Sequence, residues 1–314
     1  MNKLESLREM SVVVADTGDM GSIEAFKPTD STTNPTLILK ASQMDAYKEY
    51  VEEAITWGKK AGAKPGAVTD RLAVNFGAAL TKIVPGRVST EVDADLSFDT
   101  QASLEKARNI IKLYEERGVG RERILIKLAS TWEGIQAAAV LQREGIDCNL
   151  TLLFSLAQAV ACADAKAFLV SPFVGRILDW HSKAGGGPYT SETDPGVVSV
   201  RQIYAYYKTY GISTVVMGAS FRNIGEIEAL AGCDRLTISP QLLGELAKAE
   251  GALTRKLDPK SPGAPPEPLK LDEKAFRWAL NEDQMATEKL SDGIRQFAKD
   301  LSALRKTVTE RLQH

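Results

Sequence analysis

The stretch Ile124-Leu125-Ile126-Lys127-Leu128-Ala129-Ser130 places one lysine among aliphatic residues and an alanine. A glycine-containing turn precedes the stretch and a helix start follows it, so we predict a short strand. In a strand alternate side chains share a face, which puts Lys127 on the face of Leu125 and Ala129. Both faces have the composition of a buried strand, where an ammonium group is costly. Such a lysine reaches water, meets a carboxylate or takes part in catalysis.

Eight predicted strands, each with a helix after it, run along the chain. They lie at residues 11–17, 30–35, 87–93, 124–130, 147–154, 167–173, 214–220 and 235–240. Eight β-then-α units without an internal repeat predict an α/β fold, a single (β/α)8 barrel of the TIM type.

The expected domain is the whole chain, 1–314, with the barrel at about 11–250 and an additional N-terminal helix at 2–9. A proline-rich connection at 251–271 leads to C-terminal helices at 272–314. The helix at 283–312 carries a long apolar stripe. We expect this stripe to pack on the barrel, with a subunit interface as the alternative.

Composition excludes several classes of function. The formal net charge is only −2, which argues against nucleic acid or a membrane surface as the main partner. No apolar run approaches a membrane span, and residues 1–10 lack the apolar core of a signal peptide. The three cysteines include no CxxC pair, as expected of reduced thiols in a cytoplasmic protein.

The chain has only two histidines, His181 in a predicted glycine-rich loop and His314 at the terminus. This argues against a histidine-rich zinc or iron site and against a Ser-His-Asp triad. Acid–base chemistry would then use carboxylates, lysine, hydroxyls or water.

Polar residues with matching parity converge at the ends of neighbouring strands. In a parallel barrel the active site forms at the carboxyl ends of the strands. Glu91 on strand three, Lys127 on strand four and Thr151 on strand five share the inward parity. Asp16 ends strand one. Considered alone, it would be interpreted as a turn or helix-cap residue, but together with Lys127 it is predicted to be catalytic. We therefore predict a catalytic lysine.

These residue types suit Schiff-base chemistry. Burial lowers the pKa of an ammonium group, so a desolvated lysine can attack a carbonyl carbon as a neutral amine. The resulting iminium withdraws electrons and permits carbon–carbon cleavage without a metal. Asp16 would serve as the base at the cleaved bond, while Glu91 and Thr151 would hold the water that shuttles protons.

A phosphate site is also predicted beyond the last strands. Arg176 follows strand six, and Ser220 and Arg222 follow strand seven at a helix start. Barrels often bind phosphate there, through arginines and helix N-termini. Either arginine alone could equally form a surface salt bridge.

The sequence motifs around these residues resemble those of the longer branch of the transaldolase family along nearly the whole chain. The matching motifs are residues 12–17, 32–35, 89–93, 124–130 with Trp132, 148–155, 171–176, 194–197 and 217–224. The resemblance implies that Lys127 forms the Schiff base, that Asp16 is the acid–base, and that Glu91 and Thr151 hold the catalytic water. It also implies that Asn34, Asn149 and Ser171 contact the three-carbon part of the substrate that is transferred. Arg176, Ser220 and Arg222 would then form the phosphate site.

The resemblance further implies the reaction: a dihydroxyacetone unit moves from a ketose phosphate to an aldose phosphate, without cofactor or metal. Members of the family are typically cytoplasmic homodimers of the non-oxidative pentose phosphate pathway. One alternative is a lysine aldolase that releases dihydroxyacetone, like the shorter fructose-6-phosphate aldolases. Those carry a tyrosine where this chain has Phe173, which favours transfer. The alternative of another class is an inactive sugar-phosphate-binding barrel.

Overall fold

A computed structural model describes residues 1–313 of the chain. Eight parallel strands close into a barrel in which each strand pairs with its neighbours in sequence and β8 pairs with β1. The predicted (β/α)8 barrel is therefore confirmed. The strands are β1 Val12–Asp16, β2 Asp30–Thr32, β3 Val88–Glu91, β4 Ile124–Ala129, β5 Cys148–Leu153, β6 Leu169–Pro172, β7 Val215–Gly218 and β8 Arg235–Ile238.

Helices surround the barrel and extend beyond it at both ends of the chain. They are α1 Lys3–Arg8, α2 Met20–Phe26, α3 Pro35–Ser42, α4 Lys48–Ala61, α5 Pro65–Thr81, α6 Thr100–Glu115, α7 Trp132–Arg143, α8 Leu156–Asp164, α9 Val174–Lys183, α10 Pro195–Thr209, α11 Ile224–Ala229, α12 Pro240–Lys248, α13 Glu273–Glu282 and α14 Gln284–Gln313. Short 3-10 turns lie at Asp45–Tyr47, Ala94–Leu96 and Arg121–Arg123.

Local sequence explains where the elements begin. Ser155 and Gln158 form a reciprocal capping box that starts α8 directly after β5. Asn34 caps α3, with Pro35 at the first helical position. Inside the barrel, a lower layer of Val14, Leu125, Leu169 and Met217 fills the space beneath the polar residues. This apolar layer closes the barrel and leaves only its carboxyl end for a site.

The segment between β6 and α10 differs from the sequence prediction. A loop was expected there, but residues 174–183 form α9, and His181 lies in the last turn of that helix instead of a glycine-rich loop. The misleading signal was the run Gly185-Gly186-Gly187-Pro188, which follows the helix. Gly175 lies inside the helix. A Cβ at this position would lie 2.5 Å from the Ser220 carbonyl oxygen, so the glycine serves close packing and does not break the helix. The prediction at His314 lies outside the described residues.

Helix α14 packs along the barrel, which decides between the two expectations for its apolar stripe. The buried side of the helix consists of Ala286, Leu290, Gly293, Ile294, Phe297, Leu301, Leu304 and Val308. Gly293 permits close approach, because a Cβ there would lie 2.5 Å from Leu152 Cδ2. Within residues 1–313, no helix is long and apolar enough to cross a membrane.

Candidate active site

A polar pocket of about 60 Å³ opens at the carboxyl ends of the strands, beneath α14. It collects most of the residues that the sequence predicts for the site. Those lining it are Asp16, Asn34, Lys127, Asn149, Thr151, Ser171, Phe173, Arg176 and Ser220. Of the remaining two predicted residues, Glu91 lies behind Lys127 and Arg222 lies outside at the pocket mouth.

Lys127 lies on the pocket floor with a side chain only 5% exposed. The β3–β4 register sets Glu91 directly beside it, and Lys127 Nζ lies 3.2 Å from Glu91 Oε2. Lys127 Nζ also donates a hydrogen bond to the backbone carbonyl of Thr33 at 3.2 Å. The amine is therefore held by one carboxylate and one carbonyl and is aimed into the pocket.

Asp16 ends β1 on the other side of the pocket. The Thr32 hydroxyl donates to Asp16 Oδ1 at 3.0 Å, and the Thr32 and Thr237 hydroxyl oxygens lie 2.7 Å apart. Burial raises the pKa of the Asp16 carboxyl, although the nearby Lys127 ammonium opposes this shift. Asp16 is thus a carboxyl that can hold or release a proton nearer to neutral pH than an exposed aspartate.

Glu91 shares this behaviour. Its side chain is 4% exposed, and burial raises the pKa of its carboxyl against the opposing charge of Lys127. Two proton-accepting groups, Asp16 and Glu91, therefore flank the lysine. One faces the pocket, and the other lies behind the amine.

A hydrogen-bonded row joins residues of β3, β5 and β6 beside the lysine of β4. Ser171 Oγ donates to Asn149 Oδ1 at 2.8 Å, and Asn149 Nδ2 donates to Ser89 Oγ at 3.1 Å. This row fixes the Asn149 amide, so the orientation of a bound polar group is set in advance. Thr151 Oγ1 is buried next to the row and makes no hydrogen bond to any of residues 1–313, so it is free to bind water or ligand.

Aromatic rings form one wall of the pocket. Phe154 and Phe173 meet edge to face with centroids 5.6 Å apart. Phe297, contributed by α14, is 2% exposed, and its ring centroid lies 6.0 Å from Lys127 Nζ. The Arg176 guanidinium lies 4.9 Å from the Phe173 ring and 5.5 Å from the Phe297 ring. The wall keeps one side of the site apolar while presenting a cation to the interior.

Several pocket residues were not predicted from the sequence: Thr32, Met217, Ala219, Thr237 and Phe297. Phe297 was recognised only as part of the apolar stripe of α14. Its position in the apolar stripe does not show whether its side chain reaches the pocket or only packs in the core. Thr237 carried a weak signal, since it is the one hydroxyl within the apolar strand Arg235–Ile238.

Arg222 forms the surface salt bridge that the sequence left open as an alternative to a phosphate contact. Its guanidinium pairs with the Asp179 carboxylate of α9, with Nη2 2.7 Å from Oδ2, and both side chains are largely exposed. Ser220, two residues before it, has a left-handed backbone with φ of 60°. The Glu226 carboxylate accepts the Arg222 backbone N–H at 2.7 Å, which anchors the loop. Arg222 therefore lies at the mouth and not inside the pocket.

The mouth is an open cavity of about 430 Å³ in which cations outnumber acids. It is lined by Arg176, Asp179, Arg222, Lys289, Asp292, Arg295, Gln296 and Lys299. Arg176 is common to the mouth and the inner pocket. An anionic group on one end of a ligand can therefore remain in the mouth while the other end reaches Lys127.

Across residues 1–313, no group of three or more His, Cys, Asp or Glu side chains is arranged to hold a metal ion. The chemistry available in the pocket is that of an amine nucleophile, two carboxyls of raised pKa, a free hydroxyl and a cationic entrance. This set can form a covalent adduct with a carbonyl compound and move protons around it.

Comparison with known proteins gives the same assignment as the motifs. A protein-family model described as Transaldolase/Fructose-6-phosphate aldolase matches residues 13–308. A relative named Transaldolase from Allorhizobium ampelinum is 69% identical over 316 residues, covering 99% of both chains. Relatives of the same name from Agrobacterium fabrum and Rhizobium etli are 68% and 65% identical, each covering 99% of this chain and 98% of their own. The resemblance stated from the sequence is confirmed: the chain belongs to the transaldolase/fructose-6-phosphate aldolase family.

Proposed function

We propose that this protein is a transaldolase that moves a dihydroxyacetone unit between sugar phosphates through a Schiff base on Lys127. The donors are sedoheptulose 7-phosphate or fructose 6-phosphate, and the acceptors are glyceraldehyde 3-phosphate or erythrose 4-phosphate. Close relatives named Transaldolase, matched over almost their full length, support the activity. The observation that carries the mechanism is the buried Lys127 amine, paired with Glu91 at the floor of a pocket that also holds Asp16.

Imine formation is assigned to Lys127 and Glu91. Glu91 removes a proton from the Lys127 ammonium, and the amine attacks the ketose carbonyl carbon. Glu91 returns that proton to the carbonyl oxygen, takes a second proton from the nitrogen and delivers it to the same oxygen, which leaves as water. The ammonium and the ketone have then become an iminium and one water, and Glu91 is again a carboxylate. A water bound to Thr151 can relay these protons, because the Thr151 hydroxyl makes no hydrogen bond within residues 1–313.

Bond cleavage is assigned to Asp16. Its carboxylate takes the proton of the hydroxyl on the carbon to be released, and the carbon–carbon bond breaks toward the iminium. The products are an aldose phosphate and a three-carbon enamine attached to Lys127. Addition to the acceptor is the reverse process, with Asp16 returning the proton. The raised pKa of this carboxyl suits a group that must both accept and donate.

Substrate orientation is assigned to two groups of residues. Asn34, Asn149 and Ser171 line the inner pocket and would contact the hydroxyls of the three-carbon unit. Arg176, Ser220 and Arg222 would hold the phosphate. Arg222 must then exchange its exposed partner Asp179 for the phosphate, a modest cost because exposed ion pairs contribute about 0–1 kcal/mol.

Transfer is preferred over release of free dihydroxyacetone because of the aromatic wall. Phe173 and Phe297 place apolar surface beside the adduct site, where water would otherwise hydrolyse the intermediate. The complete set of Lys127, Asp16, Glu91 and Thr151 supports an enzyme over an inactive binding barrel. The proposal extends to a cytoplasmic homodimer of the non-oxidative pentose phosphate pathway. It treats the chain as one catalytic domain, because α14 supplies a wall of the pocket.

Borohydride trapping tests the proposal. Incubation with fructose 6-phosphate and borohydride should label Lys127 with a reduced three-carbon or six-carbon adduct that peptide mass spectrometry locates. Lys127→Ala should show no label and no transfer. Because this change leaves the buried Glu91 without its partner, circular dichroism is used to verify that the variant is folded. Label on another residue, or none, would reject the mechanism. Release of dihydroxyacetone as fast as transfer to erythrose 4-phosphate would favour the aldolase.

A further inference from the structure

A second cavity lies behind the Lys127–Glu91 pair, on the side away from the substrate pocket. It has a volume of about 40 Å³ and lies among α3, α5, α6 and α14 at the ends of β2 and β3. Most of its surface is apolar, contributed by residues such as Leu301 and Leu304 of α14, and one wall carries the polar groups of Thr69, Asp70, Thr90, Glu91 and Asp93. We call it the side cavity. A space of this size has room for about two or three waters, which the polar wall can hold by hydrogen bonds.

Glu91 divides the two cavities. It lines the side cavity but not the substrate pocket, whereas Lys127 lines the substrate pocket but not the side cavity. The 3.2 Å contact between Lys127 Nζ and Glu91 Oε2 therefore forms part of the boundary between them, together with Asn34, which lines both cavities. A proton taken from the amine by Glu91 lies at the polar wall of a cavity that the sugar does not fill.

The side cavity is bounded by a buried ionic cluster. Lys106 Nζ lies 2.7 Å from Asp70 Oδ2 and 3.1 Å from Asp93 Oδ2, and Arg305 of α14 lies 2.6 Å from the same Asp93 oxygen. Asp70 and Asp93 have side chains 8% and 10% exposed, while Lys106 and Arg305 are 17% and 30% exposed. The cluster thus leads from the cavity toward solvent, and its carboxylates can orient water inside.

The chemistry of the imine needs such a space. Each imine that forms releases one water, and each hydrolysis consumes one, while the sugar occupies the substrate pocket. We propose, on the basis of the function proposed above, that the side cavity stores this water and exchanges it through Glu91. Asp70 then acts as a positioning residue for the stored water. The water reaches the imine carbon from behind the amine, so the substrate pocket need not open.

Isotope exchange tests the proposal without an acceptor. The carbonyl oxygen of fructose 6-phosphate exchanges with H₂¹⁸O each time an imine forms and hydrolyses, and mass spectrometry measures the rate. Ala73 lines the side cavity, so Ala73→Leu fills it, while Ala73→Ser leaves it open and polar. We expect Ala73→Leu to slow oxygen exchange by about tenfold, equivalent to ~1.4 kcal/mol. Ala73→Ser should exchange at the rate of the unmodified protein.

Asp70→Asn provides the second variant, which keeps the shape of the side chain and removes its charge. Its matched control is Asp30→Asn, because Asp30 is also 8% exposed and ion-paired, with Arg235. We expect Asp70→Asn to slow exchange several-fold and to change its pH profile, and Asp30→Asn to change neither. The carbon–carbon step serves as the internal reference. The rate of this step is measured after an acceptor is added, as the conversion of the preformed three-carbon adduct to the longer adduct. This rate should be unchanged in all four variants.

The outcomes separate this inference from the function on which it rests. If the unmodified protein exchanges no oxygen and traps no adduct, the Schiff-base function itself fails. If it exchanges oxygen and both Asp70→Asn and folded Ala73→Leu exchange equally fast, only the side cavity loses its role. Equal slowing of exchange and of the carbon–carbon step would also overturn the inference, because it indicates general distortion of the site.

Discussion

Phe297, near the end of the described chain, lies over Lys127 of the fourth strand, with the ring centroid 6.0 Å from the amine nitrogen. The contact joins α14 to the centre of the barrel and shields one side of the adduct site. It makes the helix part of the site instead of an attachment on the barrel surface.

Removing this ring should change the fate of the intermediate. Phe297→Ala is expected to raise the ratio of free dihydroxyacetone to transferred product by about tenfold, because water gains access to the adduct. It should also destabilise the fold by about 3–5 kcal/mol, as usual for a buried phenylalanine. Phe276→Ala is the matched control: Phe276 is equally buried, on α13 against Trp132, and its loss should lower stability without altering the ratio.

Asp16→Asn should separate the two chemical steps. The amide cannot accept a proton, so cleavage and transfer should fall by at least about a hundredfold. Imine formation relies on Glu91 and should persist, so borohydride trapping should yield the six-carbon adduct in place of the three-carbon one. Loss of all adduct in a folded Asp16→Asn variant would contradict the assignment of roles.

The same variant should be more stable than the unmodified protein at neutral pH. Burial raises the Asp16 pKa in the folded state, so the folded protein binds this proton more tightly than the unfolded chain. Stability then falls as the pH rises from the unfolded value of about 3.9 through the raised folded value. Asp16→Asn has no carboxyl to titrate, so its free energy of unfolding does not fall in this way. Urea denaturation should show that the stability difference between the variant and the unmodified protein grows between the two pKa values and is constant at higher pH. Each unit of raised pKa is worth about 1.4 kcal/mol.

The ion pair at the mouth should weaken phosphate binding. Arg222 is held by Asp179, and removing the acid by Asp179→Asn frees the guanidinium. We expect the KM for fructose 6-phosphate to fall by up to about fivefold, since an exposed pair contributes at most about 1 kcal/mol. The kcat should change little. Asp292→Asn, another acid at the mouth that does not pair with Arg222, should have a smaller effect.

Gly293 should tolerate no side chain. A Cβ there would lie 2.5 Å from Leu152 Cδ2 and 3.3 Å from Arg176 Nη1, so Gly293→Ala should lower both thermal stability and activity despite the better helix propensity of alanine. Gly66 is also in a helix but has nothing within 4 Å of the position of a Cβ. Gly66→Ala should therefore stabilise the protein slightly. Equal melting temperatures for both variants would argue against the close contact.

The sequence predicted the barrel and the inner pocket because both depend on short-range periodicity. Strand parity alone put Glu91, Lys127 and Thr151 on the inner face, and the parallel register then made Glu91 and Lys127 neighbours. The roles of these residues stay predictions until they are tested. Contacts that join distant segments could not be read in the same way. Phe297 reaches the pocket only because of the path of the connection that precedes α14, and no periodicity encodes that path.

The misassigned loop illustrates the same limit. The predicted loop rested on the run Gly185-Gly186-Gly187-Pro188, which lies beyond the end of α9. Gly175, inside that helix, is required by the neighbouring Ser220 carbonyl oxygen at the end of a different strand. Because α9 was not predicted, its Asp179 could not be anticipated as the partner of Arg222. One local error thus concealed a relationship between two elements at the mouth of the site.

The dependence of the pocket on α14 has a consequence for biosynthesis. The ribosome makes the strand that carries Lys127 long before it makes residues 284–313, and the barrel strands are all present by residue 238. Until α14 is made, the Lys127 amine lacks the cover of Phe297 and the cations of that helix. On the proposed mechanism, Lys127 becomes selective for transfer only when that helix docks.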